Sequence, residues 1–222
     1  MISLYHDDCF NLLSKIKCDI VFTSPPYNRK RNDKYKNYDD TIDDYFAFLV
    51  NFIDNVQYNK YLFLNVQTNF YNKQDIYKLI GKYYNKIQQI FVWEKSNPMP
   101  AQGFNITNAY EYFLVFGDKA LKSNYTYTKN ILTTSVNSAT TTKIHRAVMK
   151  QKVADWFIYN FTVDGDIVFD PFMGLGTTGI SCLGYNRDFI GIEKNKEYYD
   201  IASERISEVA TNGYRASMGN AQ

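Results

Sequence analysis

An α/β domain with a mostly parallel sheet is the fold class this sequence predicts, on three observations. Short apolar runs alternate with longer stretches of helical period along the 222 residues. Several of those runs are nearly continuous in apolar residues, as strands are when both faces of a sheet are covered. Near the C-terminus a strand pattern passes through a glycine-rich turn directly into a helix pattern.

The strands, in order, are ISLY (2–5), CDIVF (18–22), YLFLNV (61–66), IQQIFVW (87–93), YEYFLVF (110–116), DIVFD (166–170) and DFIGIE (188–193). Between them, residues 42–56 place Ile42, Tyr45, Phe46, Leu49, Phe52, Ile53 and Val56 on one helical face, with Thr41 and Asp44 forming an approximate capping box. Residues 195–209 repeat the pattern with Tyr198, Ile201, Ala202, Arg205, Ile206 and Val209. Three stretches break the rhythm: the basic, then acidic 28–40; the proline-containing 94–109; and 117–146, rich in Lys, Thr, Ser and Asn without a convincing period. Residues 1–210 read as one domain with an insertion at about 117–146, and 211–222 as a frayed tail.

Composition narrows the class. Hydrophobic residues make up 45% and charged residues 22%, ordinary for a globular chain, and the net charge of +2 permits a nucleic-acid partner without arguing for one. Tyr (20) and Phe (16) are abundant, a bias shared with Lys, Asn and Ile that points mainly to an AT-rich coding sequence. The three cysteines form no CxxC pair, which fits a reduced, intracellular protein without a zinc site or disulfide framework. The N-terminal stretch has neither the pattern of a signal peptide nor that of a transit peptide, and no apolar run approaches the ~20 residues of a membrane span.

The turn after DIVFD reads PFMGLGTTG, so Gly174, Gly176 and Gly179 satisfy G-x-G-x-x-G between strand and helix. Such a loop offers a backbone without Cβ atoms and amide groups at a helix N-terminus. Glu193 ends the next strand, where a carboxylate can accept hydrogen bonds from ribose hydroxyls. Spacing alone permits a dinucleotide. Asp170 at the mouth of the loop would repel a pyrophosphate and attract a cationic amino-acid group, which suits S-adenosylmethionine.

The other unusual stretch is FTSPPYN (22–28), which stops a buried strand with two prolines. A Pro-Pro turn fixes two φ angles and removes two N–H donors, leaving carbonyl oxygens to accept. With the Ser24 hydroxyl, this corner can accept both hydrogens of an exocyclic amine, while Tyr27 offers a flat face for stacking.

TSPPY (23–27) followed by DPFMGLGTT (170–178) resembles the DNA amino-methyltransferases that methylate N4 of cytosine or N6 of adenine. The catalytic corner precedes the glycine loop, which resembles the circularly permuted β group; NPMP (97–100) and KNKEYYDIASERI add to the likeness, which runs from Ile2 to about Ile206. The resemblance implies a Rossmann-like, circularly permuted fold with a mostly parallel seven-stranded sheet. DIVFD and DFIGIE would be its first two strands, ISLY the third and CDIVF the fourth, beside DIVFD.

It also implies roles. Asp170, Phe172, Gly174, Gly176, Thr177 and Thr178 match the cofactor loop, Glu193 the ribose acid, and Asp8 with Cys9 the segment holding the adenine ring of S-adenosylmethionine. Ser24, Pro25, Pro26 and Tyr27 match the catalytic corner, with no metal required. In 144–158, His145 matches a family pattern, but Arg146 and Lys150 stand where prolines are usual, while Val153, Trp156 and Phe157 keep the helix pattern.

The implied substrate is double-stranded DNA with the target base flipped out. Arg29, Lys30, Arg31, Lys34 and Lys36 form a basic loop after the corner, and Lys119, Lys122, Lys129 and Lys143 lie in the short segment that matches the family's recognition region. A recognition segment this short suggests a short site or help from a second subunit, so a homodimer and a cognate restriction endonuclease stand as open partners of a cytoplasmic, nucleoid-associated enzyme. SPPY is typical of the cytosine-N4 enzymes and DPPY of adenine ones, which favours cytosine, with N6-adenine as the alternative. An RNA or protein amide methyltransferase is more distant, since those sites tend to read NPPY. A dehydrogenase fits the glycine loop but not SPPY or Asp170, and a non-catalytic relative is opposed by the intact corner.

Overall fold

The computed structural model of this chain describes residues 1–29, 40–98, 106–125, 127–135 and 148–213. Within them the chain forms β1 (Ile2–His6), β2 (Ile20–Thr23), α1 (Tyr45–Asn55), β3 (Tyr61–Val66), α2 (Lys73–Lys82), β4 (Ile87–Lys95), β5 (Tyr110–Phe116), β6 (Ile131–Thr134), α3 (Gln151–Phe161), β7 (Ile167–Asp170), α4 (Thr177–Gly184), β8 (Asp188–Glu193) and α5 (Lys196–Asn212). All seven expected strands are present.

The strands form one sheet in the order β1-β8-β7-β2-β3-β5-β4-β6. The neighbourhood expected from the resemblance holds: β1 pairs with β8, β8 with β7, and β7 with β2, all parallel. β5 runs antiparallel to both β3 and β4, and β6 is parallel to β4, so β5 opposes the direction of the other strands described. The sheet has eight strands rather than the expected seven. The additional one, β6, lies inside 117–146; four residues alternating exposed and buried are too short to announce a period beside so many polar neighbours.

Period-two alternation in the strands divides the core between two faces. Ile20, Phe22 and Phe63 pack with α3, α4 and α5 residues such as Phe157, Ile180 and Ile206. Val21, Leu62 and Leu64 pack with α1 and α2 residues such as Leu49, Phe52, Ile76 and Leu79. The result is a helix–sheet–helix sandwich.

The helix ends refine the sequence reading. α1 starts at Tyr45 rather than 42, because Asp44 itself is the cap and accepts from Ala47 N at 2.9 Å. Asn195 caps α5 the same way, accepting from Tyr198 N, and α5 extends through Asn212 into the stretch expected to fray. α2 was not among the expected helices; its buried face is only Ile76 and Leu79, on an otherwise polar decapeptide.

Every parallel strand ends on one rim. β1 leads to Asp8, β8 to Glu193, β7 to Asp170 and β2 to Ser24. The reversed β5 brings its start, Tyr110 and Glu111, to that rim beside the end of β4.

Candidate active site

The glycine loop and the proline corner meet on this rim, joined by one carboxylate. Asp170 Oδ1 accepts from Thr23 Oγ1 at 2.6 Å and Asp170 Oδ2 from Thr178 Oγ1 at 2.6 Å, while Phe172 N donates to Oδ1 at 3.2 Å. Thr23 ends the strand before Ser24, and Thr178 opens α4, so a single side chain fastens both motifs. Asp170 is 4% exposed. Burial pushes its pKa up to about 6, against the lowering effect of its three donors. Both oxygens already accept from hydroxyl or amide donors, so fastening the two motifs together is a task of Asp170 beyond the one the sequence led us to expect.

The glycines divide into two kinds. Gly174 has φ +54°, and a Cβ there would meet nothing within 4 Å. Its amide donates to Glu193 Oε2 at 2.8 Å. Open space beside a left-handed glycine is what a ligand-cradling position requires. Gly179 is the opposite case, since a Cβ would come within 2.7 Å of Ile206 and Phe189 side-chain atoms. Gly176, counted among the cofactor contacts on sequence grounds, caps α4 at φ +79° with its Cα facing Ile206 and Ala202, so its lack of a side chain serves helix packing. Likewise the Thr178 hydroxyl is committed to Asp170, and the Thr177 carbonyl accepts from Gln151 Nε2 at 3.1 Å.

Glu193 Oε1 accepts from Asn195 N at 2.8 Å, and burial, the largest influence, raises its pKa. Each Glu193 oxygen keeps a further lone pair for an incoming hydroxyl. Asp8 lies across the β1–β8 pair; it accepts from Phe10 N at 3.1 Å and pairs with Lys194 at 2.9 Å. Cys9 is buried and its thiol is pushed up to about 12, so it behaves as an apolar residue. Phe172, half-buried, packs at the margin of the core, tilted against Phe48 and edge-on to Phe52, with ring centroids 5.9 and 5.3 Å apart.

At the proline corner the carbonyls separate in function. The Pro26 carbonyl accepts from Tyr45 OH at 2.8 Å, and the Tyr27 carbonyl accepts from Asn69 Nδ2 at 2.8 Å and Asn72 Nδ2 at 2.7 Å. Among the described residues none donates to the Pro25 carbonyl. Asn28 then turns the chain at φ +48°, a conformation asparagine tolerates, and its side chain bridges both backbone groups of Ile42.

Tyr27 departs from its expected role. Its ring is buried, the Arg29 guanidinium sits over it at 5.3 Å, and its hydroxyl reaches Glu111 Oε2 at 2.9 Å and Asn65 Oδ1 at 2.5 Å. It anchors the corner where a free stacking face was expected. Burial, reinforced by Glu111, holds its phenol well above its ordinary pKa.

Asn65, Glu111 and Lys95 were missed by sequence reasoning. The available signal was an isolated polar residue inside each apolar strand run, YLFLNV and YEYFLVF. Phe70 and Tyr71 were missed too: they are large and exposed, and they sit on the rim loop that Asn69 and Asn72 clamp to Tyr27. Arg29 is on the rim, bonded through its guanidinium to Gln67 and through its amide to Asp40. Lys30, Arg31, Lys34, Lys36, Lys143, His145 and Arg146 lie outside the described residues. Lys119, Lys122 and Lys129 are exposed, and Lys150 precedes α3 with its ammonium on Ser135.

A family model described as DNA methylase, covering N6 and N4 methyltransferases, matches residues 18–204. The chain belongs to the DNA methylase family. Its order of motifs is the one expected of the family's β group. The type II methyltransferase M.HinfI of Haemophilus influenzae is 25% identical over 92% of this chain and 68% of its own length. M.MwoI of Methanothermobacter wolfeii is 29% identical over 88% of this chain, which spans only 34% of that relative. The orphan methyltransferase M.BamHII of Bacillus amyloliquefaciens is 50% identical over 28% of this chain and 23% of its own length. Among solved structures, the M1.HpyAVI–SAM complex matches with TM-score 0.66 at 25% identity, covering 92% of this chain and all of that one. The cytosine-N4-specific PvuII DNA methyltransferase shares the fold with TM-score 0.73 at 19% identity, covering 96% and 93%.

Proposed function

We propose that this chain transfers a methyl group from S-adenosylmethionine to the exocyclic amine of a base flipped out of double-stranded DNA, with N4 of cytosine as the target. The observation that carries it is the Thr23–Asp170–Thr178 joint, which sets Ser24 and Gly174 on one rim. The residues present fit the cofactor: Gly174 borders open space, Glu193 has acceptor capacity left for ribose hydroxyls, and Asp8 stands on the neighbouring strand end. When bound, S-adenosylmethionine supplies an electrophilic methyl, so that the amine nitrogen gains an N–C bond as the S–C bond breaks, leaving a neutral thioether and releasing the amine proton to solvent.

The chain's own part is to hold the amine. Ser24 Oγ and the undonated Pro25 carbonyl accept its two hydrogens, and these contacts strengthen as positive charge develops on nitrogen. Asp170 acts at one remove, keeping the corner and the loop in register. Arg29, with Lys30, Arg31, Lys34 and Lys36 after it, supplies charge for phosphates. Phe70 and Tyr71, held exposed on a loop tied to Tyr27, supply rings for base stacking next to the extruded nucleotide.

Incubation with DNA and tritiated S-adenosylmethionine, followed by nucleoside digestion, tests the reading. Label in N4-methylcytosine is the expected result. Label in N6-methyladenine alone would overturn the base while keeping the class, and label in RNA or protein but not DNA would overturn the substrate.

A further inference from the structure

Behind Ser24 lies a polar cluster that sits deeper than its chemistry favours. Asn65 in β3 is fully buried and Glu111 in β5 is 4% exposed. Lys95 of β4 meets Glu111 Oε1 at 2.5 Å with most of its own side chain covered. Ser24 Oγ lies 3.0 Å from Asn65 Oδ1 and 2.8 Å from Tyr27 OH, and Tyr27 OH in turn reaches Asn65 Oδ1 and Glu111 Oε2. Polar groups so placed are costly unless each finds its partner.

The hydrogens can be counted. Asn65 Nδ2 donates to the Tyr112 carbonyl at 3.1 Å, which turns the amide so that Oδ1 faces Ser24 and Tyr27. Glu111, facing an ammonium, is a carboxylate and accepts only. Two buried acceptors without protons therefore confront two hydroxyls with one proton each. Satisfying both acceptors draws both protons inward. Ser24 is left with lone pairs alone on the side facing the rim.

We propose that Asn65 and Glu111 are positioning residues for methyl transfer: by taking up the hydroxyl protons of Ser24 and Tyr27, they hold Ser24 as a pure acceptor for the amine of the target base. This rests on the functional reading above. It also supplies a specificity device. With the Pro25 carbonyl beside it, the corner offers acceptors only, so an exocyclic amine is gripped through its hydrogens. A keto oxygen, as on thymine or guanine, would meet lone pairs and be turned away. Lys95 keeps the arrangement in one sense, because an uncharged glutamine at 111 would present its carbonyl to the ammonium and its NH2 to Tyr27, reversing the direction of donation.

The test is a double-mutant cycle with Ser24. Glu111→Gln and Asn65→Leu are each made in the wild-type protein and in Ser24→Ala. Methyl transfer to duplex DNA, S-adenosylmethionine affinity and thermal unfolding are measured for all. In the wild-type background kcat falls roughly tenfold or more, the scale of a misdirected hydrogen bond to a charged group, while cofactor affinity is unchanged. In the Ser24→Ala background the same substitutions change kcat less than twofold, because there is no hydroxyl left to orient. Equal losses in both backgrounds, or a folded Glu111→Gln protein with wild-type kcat, would overturn the proposal and leave the cluster a purely structural one. Should Asn65→Leu fail to fold, Glu111→Gln decides the matter, being nearly isosteric. If the wild-type protein itself transfers no label to DNA, it is the functional reading that fails.

Discussion

Replacing Asp170 with asparagine separates what this carboxylate does for stability from what it does for function. Its environment is known in detail: two threonine hydroxyls at 2.6 Å, the Phe172 amide at 3.2 Å and no exposed oxygen surface to speak of. Burial outweighs these donors and moves the pKa from 3.8 to about 6. A folded-state pKa above the unfolded value means that the fold binds the proton more tightly. This group's favourable contribution is therefore fully present below about pH 4 and is lost as pH rises through about 6. At 1.36 kcal/mol per pKa unit the loss is about 3 kcal/mol at neutral pH. Asparagine carries no such dependence; its Oδ1 can accept from one threonine and its Nδ2 can donate to the hydroxyl oxygen of the other. Urea denaturation of both proteins between pH 4 and 7.5 should show the variant gaining on the wild type by about 3 kcal/mol across that range. Glu193, also raised mainly by burial, cancels in the difference except for the smaller part that the Asp170 charge adds to it, which acts in the same direction. A pH-independent difference would refute the account of Asp170 as a buried ionising group, and a difference of opposite slope would mean its pKa is depressed. The same variant should transfer methyl groups more slowly at pH 7.5. A protein that is more stable and less active would show that the charge is retained for the site and against stability.

Four further outcomes follow from the geometry. Gly179→Ala places a methyl within 2.7 Å of Ile206 and Phe189 and should lower stability by about 1–3 kcal/mol with little change in cofactor affinity per folded molecule. Gly174→Ala meets no atom but strains a left-handed residue by roughly 1–2 kcal/mol and fills the cradle, so calorimetry should show the larger loss in S-adenosylmethionine binding. Ser24→Ala should slow single-turnover methyl transfer far more than it weakens cofactor binding, and equal losses in both would count against its role. Phe70→Ala should weaken duplex binding by about 1–3 kcal/mol, the scale of one base–ring stack. The defect should shrink when the target base is mispaired and already easy to extrude; an undiminished defect would mean that Phe70 does not assist extrusion.

The arrangement of the sheet was legible in the sequence to an unusual depth because its signals are local. DIVFD and DFIGIE are apolar runs bounded by charge, and each became a strand within a residue of its expected limits. α5 announced itself by the amphipathic pattern over 195–209, which the structure extends to Asn212. α2 and β6 did not, since their buried faces are only two residues each. Within the site, the glycines and prolines were visible for the same reason: they constrain their own backbone whatever surrounds them. Their division of labour was not. Gly174 faces open space, while Gly179 faces Ile206 because that is where α5 packs.

By itself, then, the sequence settled the order of the strands and helices other than α2 and β6, the two stiff turns and the family, because periodicity, φ restriction and motif order are properties of contiguous residues. The tertiary structure alone decided which polar groups serve the site. Tyr27 finds Asn65 and Glu111 at separations of 38 and 84 residues, and Thr23 finds Asp170 at 147. Those pairings arise because a buried donor or acceptor must be satisfied by whatever the folded sheet brings alongside it, and no local pattern encodes that neighbour.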